Sequence, residues 1–374
     1  MNKNPLSSTL LLIVLIGGFV LAGTARFGMA QVESCSWSRV ASPTNEYFNS
    51  ISMVSSSDGW AVGSEGAIIR WDGTKWNNVE SPTNYKLISV DMVSATEGWA
   101  IAQRTDGYGT NQTIIRWDGE SWKNVTSPTP STLKSVDMIS SSDGWAVGPS
   151  GMIIRWNGTN WNRVESPINN PWESVNMVNS SDGWAVGRRN AYSGINSLTH
   201  WNGTNWNIVE SPDFVGTRTL WSVDMVSSTD GWAVGDGGII IRWDGSNWEY
   251  EASPIPANKH LFSVDMVNST DGWAIGSDGC IIHWDGTSWS NTTSPTAAWL
   301  SCVDMVSSTD GWIVGVDGIY HWQENASGFP IEYIVLTCAF VVVLVVWLFL
   351  RKRHAHKQSL NEQLPHAQVQ QKKL

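Results

Sequence analysis

The chain has 374 residues, 41% of them hydrophobic and only 15% charged, with 25 tryptophans and a formal net charge of −11. So much apolar and aromatic surface excludes a disordered, solvated chain, and the acidic balance argues against nucleic acid as a partner. Length alone leaves one large domain or two open.

In chain order, the first feature is an apolar stretch from Leu10 to Gly23 behind Lys3. It is short for a bilayer span and is followed by the small-residue pairs Val20/Ala22 and Gly28/Ala30, so residues 1–30 read as a secretory signal peptide cleaved after Ala30.

Residues 31–328 are organised by one recurring phrase, roughly SVDMVSSTDGWAVG..G.IIRWDGT.W..V.SP. Its DGW-type element places Trp60, Trp99, Trp145, Trp184, Trp232, Trp273 and Trp312 at intervals of 39 to 48 residues, a period typical of propeller blades. Each copy holds four short apolar runs separated by Gly, Asp, Asn and Ser clusters, which predicts four antiparallel strands, A to D. In the fifth copy these are Ser222–Val226, Gly231–Gly235, Ile239–Trp243 and Trp248–Ser253. Turn chemistry accounts for the fixed letters. After strand A, Ser/Thr-Asp-Gly suggests an aspartate capping the turn and a glycine at positive φ. Between C and D, Asp72-Gly73 or Asn157-Gly158 suits a tight hairpin, with Trp71 and Trp76 meeting across it.

The seventh copy stops at Tyr320-His321-Trp322 without a D strand, whereas Trp37-Ser38-Arg39-Val40-Ala41-Ser42-Pro43 supplies one before any A strand has appeared. The expected fold is therefore an all-β, seven-bladed propeller of four-stranded antiparallel blades, closed by the N-terminal strand so that the sheet edges are paired. Strands B, C and D then take one tryptophan per blade. Of the remaining four, Trp172 and Trp299 are expected in the core, since equivalent positions hold Phe48, Leu87, Leu133, Leu220 and Leu261.

Beyond the repeat, residues 331–350 are almost entirely Val, Leu, Ile and Phe and just long enough to span a bilayer. Arg351-Lys352-Arg353 and Lys357 follow, which by the positive-inside rule makes 351–374 a basic cytoplasmic tail. The expected topology is single-pass at the cell membrane, with an outer segment carrying 15 Lys and Arg against 32 Asp and Glu. Cys35, Cys280 and Cys302 lie in that outer segment, where one disulfide is permitted but spacing does not choose the pair.

The phrase GWAVG..G.IIRWDGT.W resembles the repeat of the photosystem II assembly and stability factor family and, more loosely, the BNR or Asp-box repeat of sialidases and sortilin-type receptors. The resemblance covers nearly the whole outer segment. It implies a β-propeller, seven-bladed in the assembly factors, that serves as a platform for protein or glycan. The usual Asp-box reads Ser/Thr-x-Asp-x-Gly-x-Thr-Trp, whereas Arg70-Trp71-Asp72-Gly73-Thr74-Lys75-Trp76 has a tryptophan before the aspartate and one residue fewer. Sialidase catalysis calls for converging arginines, and Arg70, Arg116, Arg155 and Arg242 sit at equivalent positions on separate blades.

No HExxH, GxSxG, P-loop, GxGxxG, CxxC or HxxxH is present, so nothing calls for a metal or cofactor and an enzyme is not indicated. Only a glycoside hydrolase, which needs two carboxylates, stays open. On strand A a ring of Asp91, Asp137, Asp224, Asp265 and Asp304, completed by Asn176 and Ser52, reads as hydrogen bonding between blades or as an acidic axial channel. The A–B and C–D turns are nearly constant, but the B–C and D–A loops vary and share one face. That face carries the candidate binding residues Arg104, Tyr108, Arg188, Arg189, Tyr192, Phe214, Arg218 and His260. Trp221 and Phe262 join them, because the counterparts Asn49, Ile88, Lys134, Glu173 and Leu300 show no demand for an aromatic ring. Glycosylation sequons occur at Asn111, Asn124, Asn157, Asn179, Asn202, Asn268, Asn291 and Asn325. The expected function is a membrane-anchored, non-enzymatic module binding a protein or glycan through the variable face; a membrane-bound assembly factor for another membrane protein is the alternative.

Overall fold

The computed structural model describes residues 35–103, 113–188, 198–212 and 218–324, with helical pieces at 344–345, 347–348 and 351–353. Residues 34–324 form one compact unit and the two ends of the chain another. Residues 1–30, read from the sequence as a signal peptide, most of the apolar run 331–350 and most of residues 351–374 lie outside the described residues; among those described, no helix is long and apolar enough to cross a membrane.

The repeat folds as seven four-stranded antiparallel sheets. In the fifth, the strands are Leu220–Ser227, Asp230–Gly235, Ile240–Trp243 and Trp248–Glu251, within two residues of the spans read from periodicity. The A strands are innermost and touch one another around the ring, as Phe48–Ser55 touches Lys86–Ser94 on one side and Leu300–Ser307 on the other. The seventh sheet is completed by Cys35–Val40, with Cys35 opposite Glu324, Trp37 opposite Trp322 and Val40 opposite Ile319.

Tryptophans form the seams. The strand-B Trp60 of the first blade lies 4.7 Å from the strand-C Trp117 and 5.4 Å, edge-on, from the strand-D Trp122 of the next. The arrangement recurs at every seam, and the last is closed by Trp312 against Trp71 and Trp76. Trp37 fills the strand-D place against Trp273 at 5.4 Å and 90°. The strand-C indoles donate to a carbonyl of their own A–B turn, as Trp71 Nε1 does to Ser56 at 3.1 Å. The buried strand-B and strand-D indoles find no oxygen and pack edge-on against each other across the seam.

Two expectations about turns need correction. The aspartate of the A–B turn does not cap it: a side chain at the end of strand A does, as Ser55 Oγ accepts from Ser57 N at 3.3 Å and Asn268 Oδ1 from Thr270 N at 2.8 Å. Nor does the following glycine adopt positive φ; the described positive-φ glycines include Gly73 and Gly158 of the C–D hairpins but not Gly59 or Gly144. A Cβ on Gly59 would stand 2.2 Å from Met53 Sδ, so a side chain there would have to displace the inner-strand methionine.

Candidate functional site

The recurring arginines are held inside their own blades. Arg70 Nε and Nη2 reach the two carboxylate oxygens of Asp58 at 2.7 and 3.0 Å, and the guanidinium lies 5.0 Å over Trp60 and 5.9 Å over Trp117 of the next blade. Arg155 repeats this with Asp143 at 2.8 Å, and His200, His283 and His321 replace arginine against Asp182, Asp271 and Asp310. Each of these side chains is engaged by an aspartate of its own blade, and none is free to converge on a substrate.

Around the axis, each blade's A strand reaches for the next. Side-chain oxygens of Ser52, Asp91, Asp137, Asn176, Asp224 and Asp265 accept from the backbone N–H of Met92, Met138, Met177, Met225, Met266 and Met305 at 2.6–3.1 Å. Asp304 accepts from Met53 and closes the circle. A parallel ring of serines does the same, as Ser50 Oγ accepts from Val90 N at 3.1 Å, with Cys302 in the seventh place, its thiol 3.9 Å from the Ile51 carbonyl. Burial pushes Asp304 up to about 7 and Asp91 and Asp224 up to about 6. Burial, with neighbouring carboxylates adding to it, also raises Asp137 and Asp265 well above the ordinary range. The aspartates are thus inter-blade fasteners; among the described residues no group of His, Cys, Asp and Glu is placed to hold a metal.

On the variable face the axial mouth carries an aromatic crescent. Trp221 meets Phe262 edge-on at 6.3 Å, Phe262 lies 6.2 Å from and parallel to the His260 ring, and Trp299 tilts against Phe262 at 5.9 Å. Asp236, in the B–C loop of the fifth blade, organises one side: its Oδ1 accepts from Trp221 Nε1 at 2.7 Å and faces His260 Nδ1 at 2.9 Å, while Oδ2 accepts from Thr219 N at 3.1 Å. Burial alone would raise its pKa; these donors outweigh burial and hold the carboxyl below the ordinary range. Across the mouth, Lys86 Nζ stands 5.8 Å over Tyr47 and Lys134 Nζ is 3.8 Å from Glu173.

Of the sequence candidates, the structure brings Trp221, Phe262 and His260 together and leaves Arg188 and Arg218 exposed on the same face. Arg104, Tyr108, Arg189, Tyr192, Phe214, Asn111 and Asn325 lie outside the described residues. Asn124, Asn157, Asn179, Asn202, Asn268 and Asn291 are exposed: Asn157 and Asn202 in C–D turns, Asn179 and Asn268 at the ends of A strands, and Asn124 and Asn291 on the outer strands. No disulfide joins Cys35, Cys280 and Cys302 to one another. Trp172 is fully buried, but Trp299 is 58% exposed, contrary to the core placement. The reason is register: Leu300 pairs with Gly315 as Phe48 pairs with Gly63, so Leu300 is the core residue and Ser301, not Leu300, is the counterpart of Trp221. Asp236, Trp299, Lys86, Lys134 and Glu173 were missed. Aligning Cys302-Val303 with Ser222-Val223 would have exposed Trp299.

No family profile and no curated protein sequence matches the chain. Solved structures do match in shape. YCF48 bound to a D1 peptide superposes with a TM-score of 0.61 at 18% identity, over 78% of this chain and 95% of that one. YCF48 from Cyanidioschyzon merolae gives 0.61 at 18%, over 78% of this chain and all of the other. The WD40 propeller domain of Doa1 gives 0.63 at only 12%, over 79% and 99%. At such identities the likeness is one of fold, and the family that the repeat resembles is among the structures sharing it.

Proposed function

We propose that this chain is a non-enzymatic recognition module that receives a protein partner at the axial mouth of its variable face. In this reading, residues 331–350 tether an extracytoplasmic propeller to the cell membrane after removal of residues 1–30. The observation carrying the reading is the crescent of Trp221, Phe262, His260 and Trp299. A half-exposed indole beside two further rings is an arrangement that folding does not require, because the same positions hold Thr132, Pro171, Glu173 and Ser301 on other blades. Such rings are the anchors of interface hot spots. A propeller of the same shape has been solved with a peptide bound, which favours a protein over a glycan and keeps a role in assembling another membrane protein in view.

The test is site-specific photocrosslinking from position 299 in native membranes of the producing cell, against a control position such as Ser142 on the opposite face. A discrete protein adduct from 299 alone, lost when Phe262 and Trp221 are changed to Ala, is the expected result. Equal adducts from both positions, or retention of a glycan array signal with no protein adduct, would overturn the reading.

A further inference from the structure

On strand C four blades carry an arginine, at Arg70, Arg116, Arg155 and Arg242, and three carry His200, His283 or His321 in its place. Arginine spans the seam. Arg70 and Arg155 hold both carboxylate oxygens of Asp58 and Asp143 at 2.7–3.0 Å and stack beside Trp117 and Trp201 of the next blade at 5.8–5.9 Å. Their Nη2 atoms then reach the A–B turn of that next blade, 3.4 Å from the Ala95 carbonyl oxygen and 3.5 Å from that of Ser180. Histidine is too short to make this crossing. His321 lies flat on Trp312, with centroids 3.9 Å apart and planes 10° from parallel, and its Nε2 meets only Oδ1 of Asp310, at 2.6 Å. Oδ2 of Asp310 has no partner among the described residues. The Ser56 carbonyl, counterpart of Ala95 and Ser180, accepts from Trp71 Nε1 alone and keeps a second lone pair. Here, between the seventh and first blades, a cleft of ≈ 690 Å³ opens on the constant face, lined by Ser56, Trp71, Thr309, Asp310, His321 and Gln323 among others. The seventh blade is also the one without a C–D hairpin, because its strands C and D come from opposite ends of the repeat.

We infer that this cleft is a receptor for a guanidinium group, filled by an arginine side chain that reaches in from a protein partner. The propeller displays the template at its own arginine seams: a carboxylate oxygen, a turn carbonyl of the next blade, and an indole beside them. At the seventh seam the corresponding acceptors are Asp310 Oδ2 and Ser56 O, with Trp71 as the indole. A planar fork of N–H donors matches such a pair, and a guanidinium is more weakly hydrated than an ammonium and stacks on aromatic rings, so arginine is preferred to lysine. The excess of 32 carboxylates over 15 Lys and Arg in the outer segment favours the approach of a cation. The cleft lies on the face opposite the aromatic crescent, so it stands or falls independently of the mouth.

The experiment uses the full chain in detergent and the tripeptide acetyl-Gly-Arg-Gly-amide, with its lysine analogue and its citrulline analogue, which keeps the shape of arginine without the charge. Binding is read by saturation-transfer NMR. The arginine peptide is expected to bind saturably, about tenfold or more tightly than the citrulline peptide and severalfold more tightly than the lysine peptide. His321→Arg should abolish this binding while the melting temperature stays level or rises, because the chain's own guanidinium then fills the place as Arg70 and Arg155 do at theirs. Asp310→Asn should weaken the arginine peptide about tenfold. His200→Arg, at another seam, should leave binding unchanged. Equal binding of the arginine and citrulline peptides, or undiminished arginine binding in a His321→Arg variant with a normal melting curve, refutes the receptor. Loss of binding in His200→Arg but not in His321→Arg would remove it from the seventh seam. Free L-arginine binding about tenfold more tightly than the tripeptide would make the occupant a small molecule and overturn the protein partner.

Discussion

Replacing Asp304 by Asn should stabilise the propeller at neutral and alkaline pH, with a gain that falls away as pH drops towards 4. An ordinary aspartate titrates at 3.8, whereas burial raises Asp304 to about 7. The folded state therefore keeps this proton to higher pH than the unfolded chain, and stability is lost as pH rises from about 4 through about 7. The gap corresponds to about 4 kcal/mol at full ionisation; because the ring carboxylates share their repulsion, about 2–4 kcal/mol is expected for one site. Asparagine keeps the fastening bond, as Asn176 does by accepting from Met225 N at 2.9 Å, and carries no charge to desolvate. For a chain of this size that is a rise in melting temperature of roughly 4–10 °C at pH 8, shrinking steadily as pH falls towards the ordinary aspartate value of 3.8. Melting curves of both proteins between pH 4 and 8 decide it. A variant no more stable than the parent at pH 8, or a difference independent of pH, would show that the ring does not hold protons at neutrality.

Trp37→Ala should cost about 3–5 kcal/mol, as for a buried tryptophan of the core, and removal of residues 35–43 should collapse the melting transition; an unchanged transition by circular dichroism would contradict closure by this strand. Arg155→Ala should lose about 1–3 kcal/mol in urea unfolding because Asp143 is left half-buried and unpaired, while Arg155→His should stay within about 1 kcal/mol, since His200 and His283 serve the same place. Glu65 sits at φ 51°, so Glu65→Gly should raise stability by about 0.5–1 kcal/mol on the same measurement. Trp299→Ala should leave the melting temperature within about 1 °C while abolishing co-purification of the protein that the position-299 crosslink identifies.

Much of the fold was legible because each blade repeats its turn residues and its three tryptophans, and a displaced strand-D phrase at residues 37–43 can only mean ring closure. What misled was the role of individual letters. Asp58 looked like a turn cap, but Arg70 claims it, and a serine two residues before the turn tip supplies the cap. Gly59 looked like a backbone requirement and is instead room for Met53. The crescent was half legible: Trp221 and Phe262 depart from the repeat and so announced themselves. Trp299 was hidden because Cys302 replaces the serine that marks the register, and Asp236 because an aspartate in a loop carries no sign of the indole it will hold.

The strand Ile319–Glu324 runs from the variable face to the constant one, so the chain leaves the propeller at the end opposite the aromatic mouth. It is flanked on both sides, by Asp310–Gly315 and by Cys35–Val40. A partner pulling on the mouth while residue 324 is held therefore loads two ladders along their length. Hydrogen bonds strained in shear share the load, where bonds peeled from an edge would break one at a time. The borrowed N-terminal strand thus gives the molecule a grip on its own exit, and a bound partner could tug on the ring without first unravelling its last blade.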